Sequence, residues 1–340
     1  MKHFHSLADI DAREVRALVE RTLELADGAL PRRSQKARSL GLLFLAPSLR
    51  TQASMQRAAQ LVGLDVVTLA GNLWSFETTP GAVMDGDRVE HAIEAAGVLG
   101  QYVDALGLRA FPDGRSWEAD RAEPLWNVFR QHAGVPLVNL ESPMWHPCQA
   151  LADRAALAAL HVPTRAKLVV TWAWHPKGLP HAVANSSVCM AAQRGMEVVV
   201  CRPRGYDLDN GVIARAERLA AASGGSVRVS SDPLETRDAA VVLAKSWGAI
   251  GSWGDPASES ARRAGQRHWR VTTDHLAPDA HFFHCLPVRR NVVVDDAVLD
   301  GPASRVLLQA KLRLHAQTAL LEQLSIHAPT PTPKHPLGIE

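Results

Sequence analysis

Short apolar runs of strand length alternate along this chain with stretches in which apolar residues recur at helical spacing. Residues 9–27 carry Ile10, Val15, Leu18, Val19, Leu23 and Leu25 and read as an opening helix. Residues 40–46 form an uninterrupted apolar run, Pro47 and Ser48 break it, and residues 50–61 resume a helical rhythm through Ala53, Ala58, Ala59 and Leu61. A strand over 64–70 follows, then a loop over 71–87 that holds Trp74 and the Met84-Asp-Gly-Asp turn. The pattern continues with a helix over 89–99, a strand over 103–109, a helix over 117–132 and a strand over 136–140. A helix over 146–160 opens with Pro147, which fits a first helical turn, and joins two halves of the chain.

The second half repeats the alternation. Strands are expected at 166–171, 196–201, 226–229, 239–244, 281–284 and 305–308, with helices at 182–194, 210–222 and 294–299 and a short helix within the polar stretch 252–267. A helix over 311–324 closes the fold, and residues 326–340, rich in proline, read as a frayed tail. Strand and helix in alternation predict an α/β protein of two doubly wound domains with parallel sheets. The expected units are residues 1–150, residues 151–309, a returning helix at 310–325 and a tail at 326–340.

Composition narrows the class. A chain of 340 residues with 46% hydrophobic content suits two medium cores, and a formal charge of +2 gives no support for nucleic-acid binding. Nothing approaches the length of a membrane span, and the first residues do not resemble a signal peptide, so a cytoplasmic protein is expected. Cys148, Cys189, Cys201 and Cys285 are dispersed and fit reduced thiols. No G-x-G-x-x-G follows a strand, no P-loop occurs, and the fifteen histidines show no metal-ligand spacing, so neither a metal nor a cofactor is expected.

Candidate chemistry gathers just past the carboxyl ends of the expected strands, where open α/β sheets bind ligands. Ser48, Leu49, Arg50 and Thr51 lie on a strand-to-helix turn, whose free N–H groups, hydroxyls and guanidinium suit a phosphate. An ordinary N-cap with a solvated arginine is the plain alternative. Arg109, Glu141, His146, Lys245 and residues 285–289 fall at comparable positions. Singly, each is better read as a strand end, a cap or a surface charge; clustered at one edge, Arg50, Arg109 and His146, with Arg313, could surround one strongly anionic group. Transfer of an acyl-like group from a reactive phosphate suits such a site.

Taken together, Ser48-Leu-Arg-Thr, His146-Pro-Cys-Gln and His284-Cys-Leu-Pro-Val-Arg-Arg, in that order, resemble the aspartate/ornithine transcarbamylase family over the whole chain to its last helix. The resemblance implies carbamoyl phosphate held by residues 48–51, Arg109 and Arg313, with Trp74 contributed by a neighbouring subunit of a homotrimer. It implies that Arg50, His146, Gln149 and Cys285 serve the chemistry, with Pro147, Cys148 and Leu286 beside the carbamoyl group. Residues 1–150 would then bind carbamoyl phosphate and 151–309 the amine substrate.

Ala244-Lys-Ser-Trp-Gly-Ala, where an ornithine enzyme would show Asp-x-x-x-Ser-Met-Gly, resembles the acetylornithine and succinylornithine branch. So does Trp172-Ala-Trp-His-Pro-Lys-Gly-Leu-Pro, whose counterpart in that branch is threaded into a deep trefoil knot. In acetyl enzymes the Val89 position holds glutamate, which would repel a succinyl carboxylate; Val89 removes that repulsion and favours N-succinylornithine. Val293 stands where some acetyl enzymes carry a modified lysine. His175 and Lys177 are expected to pair with the added charge, and Glu141, Lys245, Leu286 and Arg289 to hold the acylornithine. Two departures, Gln52 for a usual second arginine and Lys311 before Arg313, keep a silent metabolite-binding homologue in view, alongside acetylornithine or plain ornithine as substrate.

Overall fold

The computed structural model describes residues 2–70 and 75–327. Its strands are β1 (His3–Phe4), β2 (Ser39–Phe44), β3 (Asp65–Ala70), β4 (Phe76–Glu77), β5 (Glu90–His91), β6 (Ala105–Arg109), β7 (Leu137–Glu141), β8 (Lys167–Trp172), β9 (Glu197–Cys201), β10 (Ser226–Ser230), β11 (Val241–Lys245) and β12 (His281–Phe283). The helices are α1 (Ala12–Ala26), α2 (Leu49–Leu61), α3 (Ala92–Tyr102), α4 (Trp117–Arg121), α5 (Pro124–His132), α6 (Pro147–Ala159), α7 (Ala182–Arg194), α8 (Asn210–Ser223), α9 (Pro256–Ala264), α10 (Asp296–Leu299) and α11 (Val306–His327).

Two five-stranded sheets result, ordered β1-β7-β6-β2-β3 and β10-β9-β8-β11-β12, and every pairing within them is parallel. Parallel strands need crossover helices, which cover both faces, so the inner strands are apolar throughout. β8 and β9 show it: Leu168, Val169, Val170, Val198, Val199 and Val200 are all buried. Apart from the edge strand β1, the chain in each sheet winds outward in one direction and then restarts on the other side of the strand it began from. The reversal falls between β2 and β6 in the first sheet and between β8 and β11 in the second. Phe44 pairs with Arg109 and Arg109 with Glu141, while Trp172 pairs with Lys245, so these strand ends are level.

Besides the short strands β1 and β4, which no apolar run marks, three elements differ from the sequence expectation. The strand expected at 305–308 is the start of α11: Val306, Gln309, Leu312, Arg313 and Ala316 are buried at helical spacing while Leu307 is 77% exposed. The helix expected over 117–132 is broken, because Pro124 excludes the helical conformation from Glu123, which sits at φ 50°. The helix expected from Val89 begins at Ala92, since Glu90 and His91 pair with Phe76 and Glu77 instead. Trp74 and the tail beyond 327 lie outside the described residues.

Helix α11 packs against α6, α1 and α2, which returns the last helix to the first sheet's layer. The two halves are tied near α6: the His146 N–H donates to Ser186 Oγ at 2.8 Å, and Asn185 Nδ2 donates to Met144 O at 3.1 Å. Beside them, Gly248 N–H donates to Leu179 O at 2.9 Å, so the chain after β11 runs against the loop that follows β8.

Helix α3 offers a paired test of packing. A Cβ at Gly100 would lie 1.7 Å from Ala133 O, whereas one at Gly97 meets nothing within 4 Å. Gly100→Ala should therefore cost roughly 1–3 kcal/mol or more from overpacking, while Gly97→Ala should gain about 0.5–1 kcal/mol of helix stability. Urea denaturation of the two variants beside the parent reads both signs.

Candidate active site

The two strand reversals face one cleft of about 400 Å3, lined from the first half by Ser48, Leu49, Arg50, Thr51, Arg109, Phe111, Glu141 and His146. The second half contributes His175, Leu179, Pro180, Val183, Lys245, Ser246, His284, Cys285, Leu286, Pro287 and Val293, and α11 contributes Arg313. Phosphate-class ligands are favoured at such a point by the free amides at the start of α2. Ser48 is the N-cap: its Oγ accepts from Thr51 N–H at 3.3 Å and donates to Thr51 Oγ1 at 2.9 Å. The helix therefore starts with its hydroxyls ordered and its guanidinium, Arg50, at the second turn position.

Arg313 is 4% exposed and reaches this helix from the far end of the chain. Its Nη2 donates to Thr51 Oγ1 and its Nη1 to Gln149 Oε1 at 3.3 Å. Burial and the neighbouring Arg109 cation lower its pKa, which marks a charge held without enough counter-charge. Arg109 and Glu141, expected on opposite substrates, are salt-bridged to each other, and Arg109 Nε also donates to Ala46 O at 3.2 Å. Among the described residues, Glu141 is the only carboxylate lining the cleft, against Arg50, Arg109, Lys245 and Arg313.

The histidines add no charge to that excess. His146 is held well below the ordinary imidazole range by burial and by Arg313, Arg109 and Lys245, and His284 is lowered to about 3, chiefly by burial. His175 is lowered by burial too; its Nδ1–H donates to Lys177 O at 3.0 Å and its Nε2 accepts from Arg289 Nε at 3.1 Å. Cys285 lines the cleft with its thiol pushed up by burial, so it is not a poised nucleophile. Among the described residues, the buried Arg50 Nε, His146 Nδ1 and Arg313 Nε in the cleft walls have no hydrogen-bond partner, and the two guanidinium N–H groups are donors. Unpaired buried donors around a cationic hollow define an anion site.

Several expected residues lie elsewhere. Lys177 lines a neighbouring groove rather than the cleft, because it belongs to the outer side of the loop after β8. His175 lines the cleft with its pKa lowered by burial, which disfavours the charged form. Pro147 and Cys148 are buried in α6 behind the cleft, with Cys148 Sγ 3.8 Å from Asn139 O. Gln149 opens on a smaller recess that shares Arg50, Cys285, Leu286 and Arg313. Arg289 is exposed at the rim, where it holds His175. Val89 is 75% exposed and does not line its own chain's cleft, being held out by the β4–β5 pairing. Gln52 and Lys311 are both exposed and outside the lining, so neither departure touches the cleft in this chain.

One residue carried no sequence signal beyond its place four residues after Gln149 on α6. Asp153 Oδ1 accepts from Gln149 Nε2 and from Gln309 Nε2, each at 2.7 Å, and Gln309 Oε1 accepts from His284 N–H at 2.9 Å. A single buried carboxyl thus fixes the Gln149 amide, with its oxygen toward Arg313, and anchors the start of the 284–287 turn, where Leu286 sits at φ 53° before a cis proline.

Family models for the aspartate/ornithine carbamoyltransferase carbamoyl-P binding domain and Asp/Orn binding domain match residues 2–158 and 170–324. The chain belongs to the aspartate/ornithine carbamoyltransferase family, and it is an enzyme, a carbamoyltransferase. Within that class it is similar to proteins that use acylated ornithine. An N-acetylornithine carbamoyltransferase of Xanthomonas axonopodis pv. citri is 39% identical over 343 residues, covering 96% of this chain and 98% of the relative. An N-succinylornithine carbamoyltransferase of Bacteroides fragilis is 36% identical over 297 residues, covering 86% and 89%. A glutamate-to-valine variant of N-acetyl-L-ornithine transcarbamylase, solved with carbamyl phosphate and N-succinyl-L-norvaline, superposes with a TM-score of 0.90 at 38% identity, covering 95% of this chain and all of that one.

Burial raises the Asp153 pKa from 3.8 to about 6. The folded state therefore holds a proton that the unfolded chain releases, and this group's contribution to stability falls as pH rises from about 4 to about 6. Asp153→Asn, neutral throughout, should gain on the order of 3 kcal/mol relative to the parent between pH 4 and pH 7. Denaturant titrations of both proteins at pH 4, 5.5 and 7 measure the difference, and a constant offset would contradict the assignment.

Proposed function

We propose that this enzyme transfers the carbamoyl group of carbamoyl phosphate to the δ-amine of an N-acylated ornithine, with N-succinyl-L-ornithine as the acyl form. The observation that carries the transfer is the cationic cleft at the start of α2, with the buried Nε–H donors of Arg50 and Arg313 unpaired in its walls. A phosphate dianion seated there would meet the Ser48–Thr51 turn, Arg50, Arg109 and Arg313. Its arrival supplies the counter-charge that Arg313 lacks and competes with Glu141 for Arg109.

The chemistry needs no nucleophile from the protein. The acylated α-nitrogen is an amide and unreactive, so only the neutral δ-amine attacks the carbamoyl carbon. The C–N bond forms as the carbonyl electrons move onto oxygen; they return as the C–O bond to phosphate breaks, and the departing phosphate takes the amine's proton. Arg50 and His146, both lining the cleft, would hold the carbonyl oxygen and the leaving group, and the Gln149 oxygen, set by Asp153, would accept from the carbamoyl NH2. Lys245, Leu286 and Arg289 are the cleft-side candidates for the acylornithine, with Glu141 near its amine end.

Two features favour the succinyl form. Val89 places no carboxylate where the resemblance puts a glutamate in acetyl enzymes, and a glutamate-to-valine variant of such an enzyme was solved with a succinylated norvaline. Val293, apolar and 3% exposed on the cleft wall, stands at the position where some acetyl enzymes carry a modified lysine. The second reading, N-acetyl-L-ornithine, is favoured by the high coverage of the acetyl relatives. A homotrimer fits the same proposal: Leu49, Val83 and Val89 are exposed apolar residues on the single chain, and Trp74 with Val89 would complete a neighbour's site. Light scattering at three times the chain mass is the expected result.

Phosphate release measured with ornithine, N-acetylornithine and N-succinylornithine in parallel should show turnover with the succinyl substrate above the others. Turnover confined to acetylornithine overturns the Val89 argument, and none with any amine overturns the transfer itself. Arg50→Ala should lower turnover about a hundredfold, the roughly 3 kcal/mol that one oxyanion donor supplies. Val89→Glu should shift preference toward acetylornithine by about tenfold or more, through repulsion of the succinyl carboxylate.

A further inference from the structure

A second hollow, of about 620 Å3, lies between α1, α6, α7 and α8 and shares no lining residue with the cleft. Arg154 of α6, Arg194 of α7 and Arg16 of α1 line it, and Glu20 is the only carboxylate in the same wall. None of the three arginines is ion-paired among the described residues. Arg154 is the informative one. It is 7% exposed, and its one hydrogen bond is from Nη1 to Met190 O at 3.3 Å, which leaves most of a five-donor guanidinium unused. Burial and the nearby Arg194 and Arg16 cations lower its pKa to about 10. Arg194 is held by Pro163 O at 3.0 Å and by Val162 O, so the loop between the two halves orients it into the same region.

A buried cation normally has a carboxylate beside it, because desolvation without a partner is costly. Here two further cations approach instead. The rest of the wall is mostly apolar, with Val19 and Leu219 on opposing helices, and Thr164, Gln193 and Ser223 add neutral polar groups. Arginine forks recognise phosphate and carboxylate oxygens, and apolar walls favour a ligand with a hydrocarbon or planar body.

We infer that this groove, at the back of the helix joining the two halves, is a second binding site, specific for a small multivalent anion held by Arg16, Arg154 and Arg194. The site is independent of the transfer reaction and rests on none of the roles assigned to the cleft. Its walls come from α1 and α6 on one side and α7 and α8 on the other, so an occupant bridges helices flanking both sheets.

Pyrophosphate and citrate serve as probes of the phosphate and carboxylate classes, titrated calorimetrically at matched ionic strength. The full chain carrying Arg50→Ala weakens anion binding in the cleft, and in that background the groove is compared with and without Arg16→Ala plus Arg194→Ala. Both added substitutions are at exposed or half-buried residues and leave the buried Arg154 in place, and circular dichroism checks that the variant is folded. The expected result is binding of at least one probe in the Arg50→Ala protein, weakened about tenfold or more by the groove substitutions. Preference for one probe identifies the class of anion. Equal affinity with and without the groove arginines, or no binding of either probe in the Arg50→Ala protein, overturns the site. Because the readout is the change on removing groove arginines, its failure leaves the cleft assignment unaffected.

Discussion

The buried guanidinium of Arg313 holds the cleft together. It comes from the last helix, yet it is locked to Thr51 at the start of α2 and to Gln149 at the start of α6. Those two helix starts follow β2 and β7, strands on either side of β6 in the first sheet. Without α11 in place, the amide-rich start of α2 would have no fixed relation to α6. The cost is a desolvated cation whose Nε has no partner. Such a charge is costly to bury without a partner that completes its shell.

That incompleteness extends to the whole cleft. Arg50, Arg109, Lys245 and Arg313 face one carboxylate, and the three histidines are kept neutral by burial and by the cations themselves. The Arg109–Glu141 salt bridge reads as a resting arrangement, in which the site's own acid occupies the cation that a phosphate would take. Positive charge of this density in a partly closed cleft raises the effective strength of each contact with an anion, since fewer waters compete. The same principle, an under-partnered buried arginine, distinguishes the groove around Arg154 from ordinary surface basicity.

Much of this was legible in the sequence. The alternation of apolar runs with helical spacing gave two parallel α/β halves, because strands buried on both faces need continuous apolar residues. The position of Ser48–Thr51, Arg109, His146, Lys245 and Cys285 just past strand ends was enough to place them at one edge. Failures came where a local pattern had two solutions. Residues 305–308 are too few and too apolar to separate strand from helix, and the packing of Val306 and Gln309 decided for helix.

What the sequence by itself determined was the class of fold, the order of its elements and the residue types available to the site, since those follow from periodicity and turn chemistry. Which charges meet was decided by tertiary structure alone. Asp153 and Gln309 are 156 residues apart, and Arg109 and Glu141 are 32 apart across a sheet register with an irregularity at Leu108. No periodicity encodes such pairs, because they depend on how separate helices and strands seat against one another. Burial then set the protonation of His146 and Asp153, a property of the surrounding dielectric and charges that no residue carries by itself.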